Sequence, residues 1–344
     1  MKEIAPPIGD LFKFDVNGVV SGIGIVQNHA VSGDRSSRAD VSNAQVVIQK
    51  PEGLIQYYLE VGAYSIPELG AAYVSSGNAI NRLWGPLPEG YVKLAPTSNF
   101  SILAGNLPTL FGQEYTFTFE NVNIERGLLW SQETAISRGV QLNYTLGPIN
   151  AALSWNNGFY SNSYTWVDGS LAWAINPTNT FTFVGGGQVG FSKFSNFATP
   201  VLLNNSQIYD LEYTYSSSPW IVQPYLQFTV LPHHPDLGVF KTTSTSGAAL
   251  LVSYALTDNL FLAGRLEGIT SSGSPADGSA NLLYGPGSNV WSITLTPTYQ
   301  YKNFFARAEA SFVQAVQYTP GDVFGNQNRN PAQVRGLLET GIVF

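Results

Sequence analysis

The chain has no cysteine, one methionine and only three histidines in 344 residues. Without a thiol there can be no disulfide, thiolate metal site, attached c-type haem or cysteine nucleophile. Charge is also sparse: Asp, Glu, Lys and Arg make up 11% of the chain, with a net charge of −7. No basic patch stands out, so nucleic acid is not an expected partner. Long apolar runs are missing as well. The longest candidate, Gly247–Leu256, is about half of the roughly 18 residues that a membrane-spanning helix requires. A mean hydropathy of +0.01 agrees. No positively charged segment followed by an apolar core opens the chain, and residues 1–7 read as a mature or engineered N-terminus. No G-x-S-x-G or H-E-x-x-H motif occurs. No enzyme activity, cofactor or bound metal is therefore expected.

What the chain does have is aromatic residues, at 13%, with 34 glycines and 20 prolines. It also has persistent alternation of apolar and polar residues, the signature of a strand with two unlike faces. The first such segment is Phe12 to Gln27, whose phase slips near Gly22, which predicts a bulge. Ala44/Val46/Ile48, Ile55/Tyr57/Leu59/Val61, Val92/Leu94 and Phe100/Ile102/Ala104 follow. The pattern continues through Val140/Leu142/Tyr144 and further segments to Val334/Leu338/Ile342/Phe344. Tight turns such as Lys50–Gly53, Gly147–Pro148 and Asn176–Asn179 alternate with longer polar loops. About sixteen strands result, at roughly 21 residues per strand and connection, which suits strands of ~9–11 residues tilted through a bilayer.

The two faces differ in chemistry. One is apolar and nearly free of charge. The other carries Lys13, Asp15, Glu60, Lys93, Asp210, Glu212, Arg265, Glu267, Arg307, Glu309, Arg335 and Glu339. A soluble sandwich would pack its apolar faces together; a membrane barrel turns that face to lipid and the polar one to its lumen. Aromatic placement favours the barrel. Phe100, Tyr144, Trp173, Phe181, Tyr213, Tyr254, Tyr299 and Phe304 all lie near tight turns, as an interfacial girdle requires. The chain also finishes on Phe344 at the end of an alternating strand. The expected architecture is one all-β domain over residues 1–344: a transmembrane antiparallel up-and-down β-barrel of about 16 strands, with residues 1–11 as a periplasmic N-terminal segment.

Residues 106–138 break the rhythm. They are too long for an ordinary connection and contain Glu114, Glu120, Glu125, Glu133 and Arg126 among many aromatics. Leu128–Leu129–Trp130 and the aromatics need a surface to pack on, which a barrel wall supplies more readily than water.

Two other motifs carry less. Gly185–Gly190 fits G-x-G-x-x-G, but no helical pattern follows, so small residues near the end of a strand explain it better. His233–His234–Pro235–Asp236 could suggest a metal site. With His29 as the only other histidine, a solvated outer loop is the better account.

Tyr115–Trp130, with Ala135–Gln141 and Trp155–Ser161, resembles the OmpL-like β-barrel porin-2 family of Gram-negative outer membranes, over roughly residues 105 to 190. The resemblance implies a porin-type barrel. The strand count is also similar to that of general diffusion porins, in which a loop after the fifth strand narrows the lumen and the second outer loop latches a neighbouring subunit. It implies that 106–138 is an inward-folded constriction loop after strand 5, with Glu114, Glu120, Glu125, Arg126 and Glu133 as eyelet candidates. It further implies a homo-oligomer, a trimer before other states, in contact with outer-membrane lipid or detergent and passing small polar solutes or ions. The other charged residues would line the wall, with Arg265/Glu267, Arg307/Glu309 and Arg335/Glu339 as water-screened pairs facing the loop carboxylates. Five basic against seven acidic wall residues suggest a weak cation preference. The alternative is a structural sheath holding a partner such as a cytochrome across the membrane, to which a lumen large enough without the insertion, co-purifying haem and no open-channel conductance would point.

Overall fold

The computed structural model describes residues 14–344. Sixteen antiparallel strands follow one another around a closed barrel. They are β1 (Asp15–Gln27), β2 (Ser37–Lys50), β3 (Ile55–Tyr64), β4 (Glu89–Thr97), β5 (Phe100–Pro108), β6 (Ile136–Leu146), β7 (Ile149–Asn156) and β8 (Trp166–Asn176). The second half comprises β9 (Asn179–Gln188), β10 (Gln207–Ser217), β11 (Trp220–Leu231), β12 (Thr243–Ala255), β13 (Leu260–Ser271), β14 (Asn289–Tyr301), β15 (Phe304–Gln317) and β16 (Ala332–Val343). Tight turns occupy one rim and long loops the other. Among the described residues no helix is long and apolar enough to cross a membrane. Lys13 and the segment 1–11 lie outside the described residues.

Closure joins β1 to β16, with Val19 opposite Val343 and Gln27 opposite Arg335. No strand edge is left, so the backbone groups of each strand find partners in its neighbours, as a membrane interior demands. Phe344 completes the seam: its carbonyl accepts from the Gly18 amide at 2.7 Å and its amide donates back at 2.9 Å. A Cβ on Gly18 would meet the Phe344 ring at 2.6 Å, so the missing side chain makes room for the aromatic. The expected bulge falls between Ser21 and Gly22.

Burial is inverted relative to a water-soluble protein. Exposed strand positions are apolar: Val20, Val46, Leu142, Leu171, Phe183, Leu226, Leu266, Ile293 and Leu338. Buried ones include Gln45, Ser154, Asp168, Thr294, Ser311 and Gln333. The turn-side aromatics pair through the register, with Phe100 opposite Tyr144 and Trp173 opposite Phe181, which in turn faces Tyr213. Trp220 and Tyr254 add a ring pair 4.4 Å apart.

The interior contains its own apolar clusters towards the loop rim. One joins Leu128 and Leu129 to Tyr225, Leu251, Ile269, Val290, Val313 and Phe324. These contacts come from the stretch after β5, which folds back into the barrel.

Candidate functional site

The insertion is shorter than its sequence suggests. Asn106–Pro108 belong to β5 and Ile136–Arg138 to β6, with Asn106 opposite Arg138, so the irregular segment is 109–135. Its course can be followed by its bonds to the wall. At its start, the Gly112 amide donates to Asp210 and Glu212 on β10, each at 3.0 Å. Gly112 has φ +77°, and a Cβ there would meet the Glu133 carboxylate at 2.3 Å, so three carboxylates crowd one glycine.

Further along, Glu114 takes Arg265 of β13 at 2.6 Å. Thr118 Oγ1 donates to Glu339 of β16 at 2.6 Å. Asn123 Nδ2 donates to Thr296 of β14 at 2.7 Å, and the Glu125 amide donates to Glu309 of β15 at 3.0 Å. Glu133 then accepts from Gln227 of β11 at 2.8 Å. Asn43 Nδ2 of β2 also donates to Thr118 Oγ1 at 2.6 Å, so the segment is tied inside the barrel to the arc from β10 round through β16 to β2.

The wall charges pair differently from their sequence neighbours. Arg265 does hold Glu267, at 3.0 Å. Arg307, however, pairs with Glu339 rather than Glu309, and Arg335 pairs with Glu125 of the insertion at 3.1 Å rather than with Glu339. Cross-strand register explains the first, since Arg307 lies directly opposite Glu339. These pairs are not water-screened either: the Arg265, Glu267 and Glu114 side chains are 1% exposed or less. Buried ion pairs hold only when their remaining hydrogen-bonding groups are also satisfied. Arg265 meets that condition through Glu114, Glu267, Thr294 and the Glu125 carbonyl.

The eyelet candidates therefore divide. Glu114, Glu125 and Glu133 are buried anchors. Arg126 is sealed within the protein, its guanidinium 5.6 Å from the Trp130 ring and without a hydrogen-bond acceptor among the described residues. Glu120 alone is exposed. Beside it Tyr115, which charge-based reasoning overlooks, is 60% exposed. Glu120 closes the short Thr118–Glu120 turn, which Asn43 of β2 holds through Thr118 Oγ1 at 2.6 Å, towards the β2–β3 side of the lumen. Glu60 accepts from Gln45 at 2.7 Å and Tyr58 at 2.8 Å. Lys93 of β4 lies on the same inward face, half-buried. Asp15 is exposed at the turn-side end of β1. Cavities of about 240 Å³ and 190 Å³ flank the insertion. The first lies towards the turns beside Phe119, Phe261 and Phe305, the second towards the outer loops beside Glu68, Trp84 and Trp130.

The second outer loop, between β3 and β4, turns inward over the insertion. Leu69 N donates to the Arg126 carbonyl at 2.9 Å and Arg126 N to the Pro67 carbonyl at 3.1 Å. Arg335 also binds the Glu68 carbonyl. Asp34, in the first outer loop, accepts from the Tyr73 amide at 3.2 Å. Burial works to raise the pKa of Asp34, but hydrogen bonds from Gln27, Arg35 and Tyr73 and the charge of Arg38 outweigh it and hold the carboxyl below its ordinary value. Elsewhere on this rim, the His234 ring stacks on Phe191 with centroids 3.9 Å apart. The Gly185–Gly187 run lies in β9, where its lack of side chains lets Gly186 pass close to Asp168.

A closed sixteen-stranded barrel with an apolar exterior and a polar lumen partly filled by the segment after β5 is the architecture of outer-membrane porins. The chain belongs to the "Putative beta-barrel porin-2, OmpL-like" family, whose sequence profile matches residues 13–344, well beyond the stretch that carries the resemblance in the sequence. No curated protein sequence matches the chain. Among solved structures it is similar to the outer membrane channel DcaP of Acinetobacter baumannii, at 12% identity and a TM-score of 0.65 over 96% of this chain and 97% of that one. It is also similar to Salmonella typhi OmpF, solved in complex with daunomycin, at 12% identity and a TM-score of 0.64 over 98% and 99%. A third is OmpT of Vibrio cholerae in a trimer form, at 9% identity and a TM-score of 0.60 over 96% and 99%. At these identities the likeness is one of fold.

Proposed function

We propose that this outer-membrane porin passes small hydrophilic solutes and ions by diffusion, with a preference for cations, between the insertion and the β3–β5 side of the wall. The carrying observation is how the charges are used. Arg265, Arg307 and Arg335 are all consumed in pairs with carboxylates. Glu120, with Glu60 and Glu89 behind it, makes no salt bridge among the described residues, although the charge of Arg126 bears on it, and Lys93 lies on the same face. A fixed negative charge on a polar passage raises the local cation concentration and lowers that of anions. Tyr58 and Tyr91 bring aromatic rings to the same side, stacked at 5.5 Å.

In this reading the insertion is the constriction loop, and its ties to β10–β16 and to Asn43 of β2 keep it from swinging across the passage. A trimer fits the family fold, and cross-linking in native membranes tests it. The sheath alternative lacks support, because the chain's own segment occupies the interior that a partner would need. Planar-bilayer recording in a salt gradient tests the proposal: stepwise currents with a cation-signed reversal potential are expected, and anion preference would overturn the charge argument.

A further inference from the structure

Among the described residues, the lipid-facing wall carries one charged side chain at its outer end. Arg138 lies on β6 in the same register as Val140, Leu142 and Tyr144, which all face outward and are exposed. It is eight residues above the Leu146 turn, about 20 Å along the barrel axis for a tilted strand. That height brings it to the membrane–water boundary on the loop side. Unlike Arg265, Arg307 and Arg335, it has no carboxylate partner among the described residues.

Its guanidinium is nevertheless held in place. It lies 3.8 Å from the centroid of the Tyr160 ring, and Nη1 donates to Asn162 Oδ1 at 2.8 Å. Nε and Nη2 find no acceptor among the described residues. Around it is an outward groove of about 440 Å³, lined by Gly105, Asn106, Gly139, Val140, Trp155 and Tyr164. Trp155 Nε1 donates to the Tyr164 carbonyl at 2.8 Å, which fixes one wall. Trp155 and Tyr164 are 57% and 48% exposed, and below them the surface continues as Leu142 and Leu153.

From this geometry we propose that the groove binds the phosphorylated headgroup of an outer-leaflet lipid. A guanidinium presents paired N–H donors that match phosphate oxygens. Trp and Tyr at the interface suit the polar–apolar border of such a lipid. The exposed aliphatic wall below accepts its acyl chains. A free anion could satisfy Arg138 but has no use for the apolar floor, so the groove as a whole selects an amphiphile.

The test is native mass spectrometry of the full chain in detergent, titrated with a diphosphorylated glucosamine lipid (lipid A), with the same lipid lacking phosphate, and with inorganic phosphate. Wild type should retain one phosphorylated lipid, prefer it at least tenfold over the dephosphorylated form, and retain no inorganic phosphate at equal concentration. Arg138→Gln should lose that preference, and Arg138→Lys should keep part of it. Unchanged bilayer conductance in both variants would show that the barrel is intact. Equal retention by wild type and Arg138→Gln, or binding of inorganic phosphate alone, would overturn the proposal. So would lipid-independent loss of the oligomer in Arg138→Gln, which would assign the groove to a subunit contact. None of these outcomes depends on the ion selectivity of the channel.

Discussion

Arg265 Nη1 lies 2.6 Å from Glu114 Oε1, and this buried ion pair joins the segment after β5 to a strand on the opposite arc of the barrel. The same arginine holds Glu267 on its own strand and the Glu125 carbonyl further along the segment. One side chain thus sets where the insertion crosses the lumen.

Removing that arginine should release the insertion. Arg265→Gln leaves Glu114 and Glu267 buried without their cation, a change that costs about 3–5 kcal/mol when one partner of a buried pair is lost. The expected result is a lower unfolding midpoint in urea and larger, noisier single-channel currents. Glu114→Gln added to Arg265→Gln should recover part of the loss, since it removes an orphaned charge. Additive effects of the two substitutions would contradict the pairing.

Gly127 tests the same contact sterically. A Cβ there would fall 2.0 Å from the Glu267 carboxylate, so Gly127→Ala should push Glu267 off Arg265. Unfolding should come earlier by about 1–3 kcal/mol, the usual range for overpacking. Gly24→Ala, where nothing lies within 4 Å of the added atom, serves as the control and should be near neutral.

Glu120 should control selectivity without controlling the fold. It is exposed, and its side chain accepts one local bond, from the Phe117 amide at 3.1 Å. Glu120→Gln should move the reversal potential in a salt gradient towards zero, and Glu120→Lys should move it further in the same direction. Unfolding midpoints should stay within about 0.5 kcal/mol of wild type, as for other exposed positions. A reversal potential unchanged in both variants would remove Glu120 from the passage.

Acid should loosen the outer loops before the barrel. The carboxyl of Asp34 is held below its ordinary value, so its contribution is full above the unfolded pKa of about 3.9 and is lost as pH falls through the lower folded value. Hydrogen exchange at the Tyr73 amide, which bonds to Asp34, should accelerate over that acidic window and not between pH 5 and 8.

The strands were legible because each contrasts an apolar lipid face with a polar lumen face over most of its length. The bulge at Gly22 and the position of the insertion after the fifth strand follow from the same alternation. The signal fails near the outer rim. Leu107 holds an inward register yet is apolar and 1% exposed, and Ile136, two residues before Arg138, is equally buried among Phe117 and Trp130 of the insertion, which packs against that part of the wall. With both faces apolar the alternation vanishes, so 106–108 and 136–138 read as loop. The ion pairs were hidden for another reason. Arg335 meets Glu125 and Arg307 meets Glu339 through closure of the barrel and the path of the insertion, neither of which local spacing encodes. Tyr115 and Arg138 were missed because attention to acidic residues passes over an exposed aromatic of the insertion and an outward-facing cation.

The most direct measurement is the current through purified wild-type protein in a planar bilayer with a tenfold KCl gradient. Stepwise conductance and a reversal potential of the sign set by potassium are predicted. A folded, heat-modifiable barrel that inserts and passes no current, or one whose reversal potential follows chloride, would contradict the account.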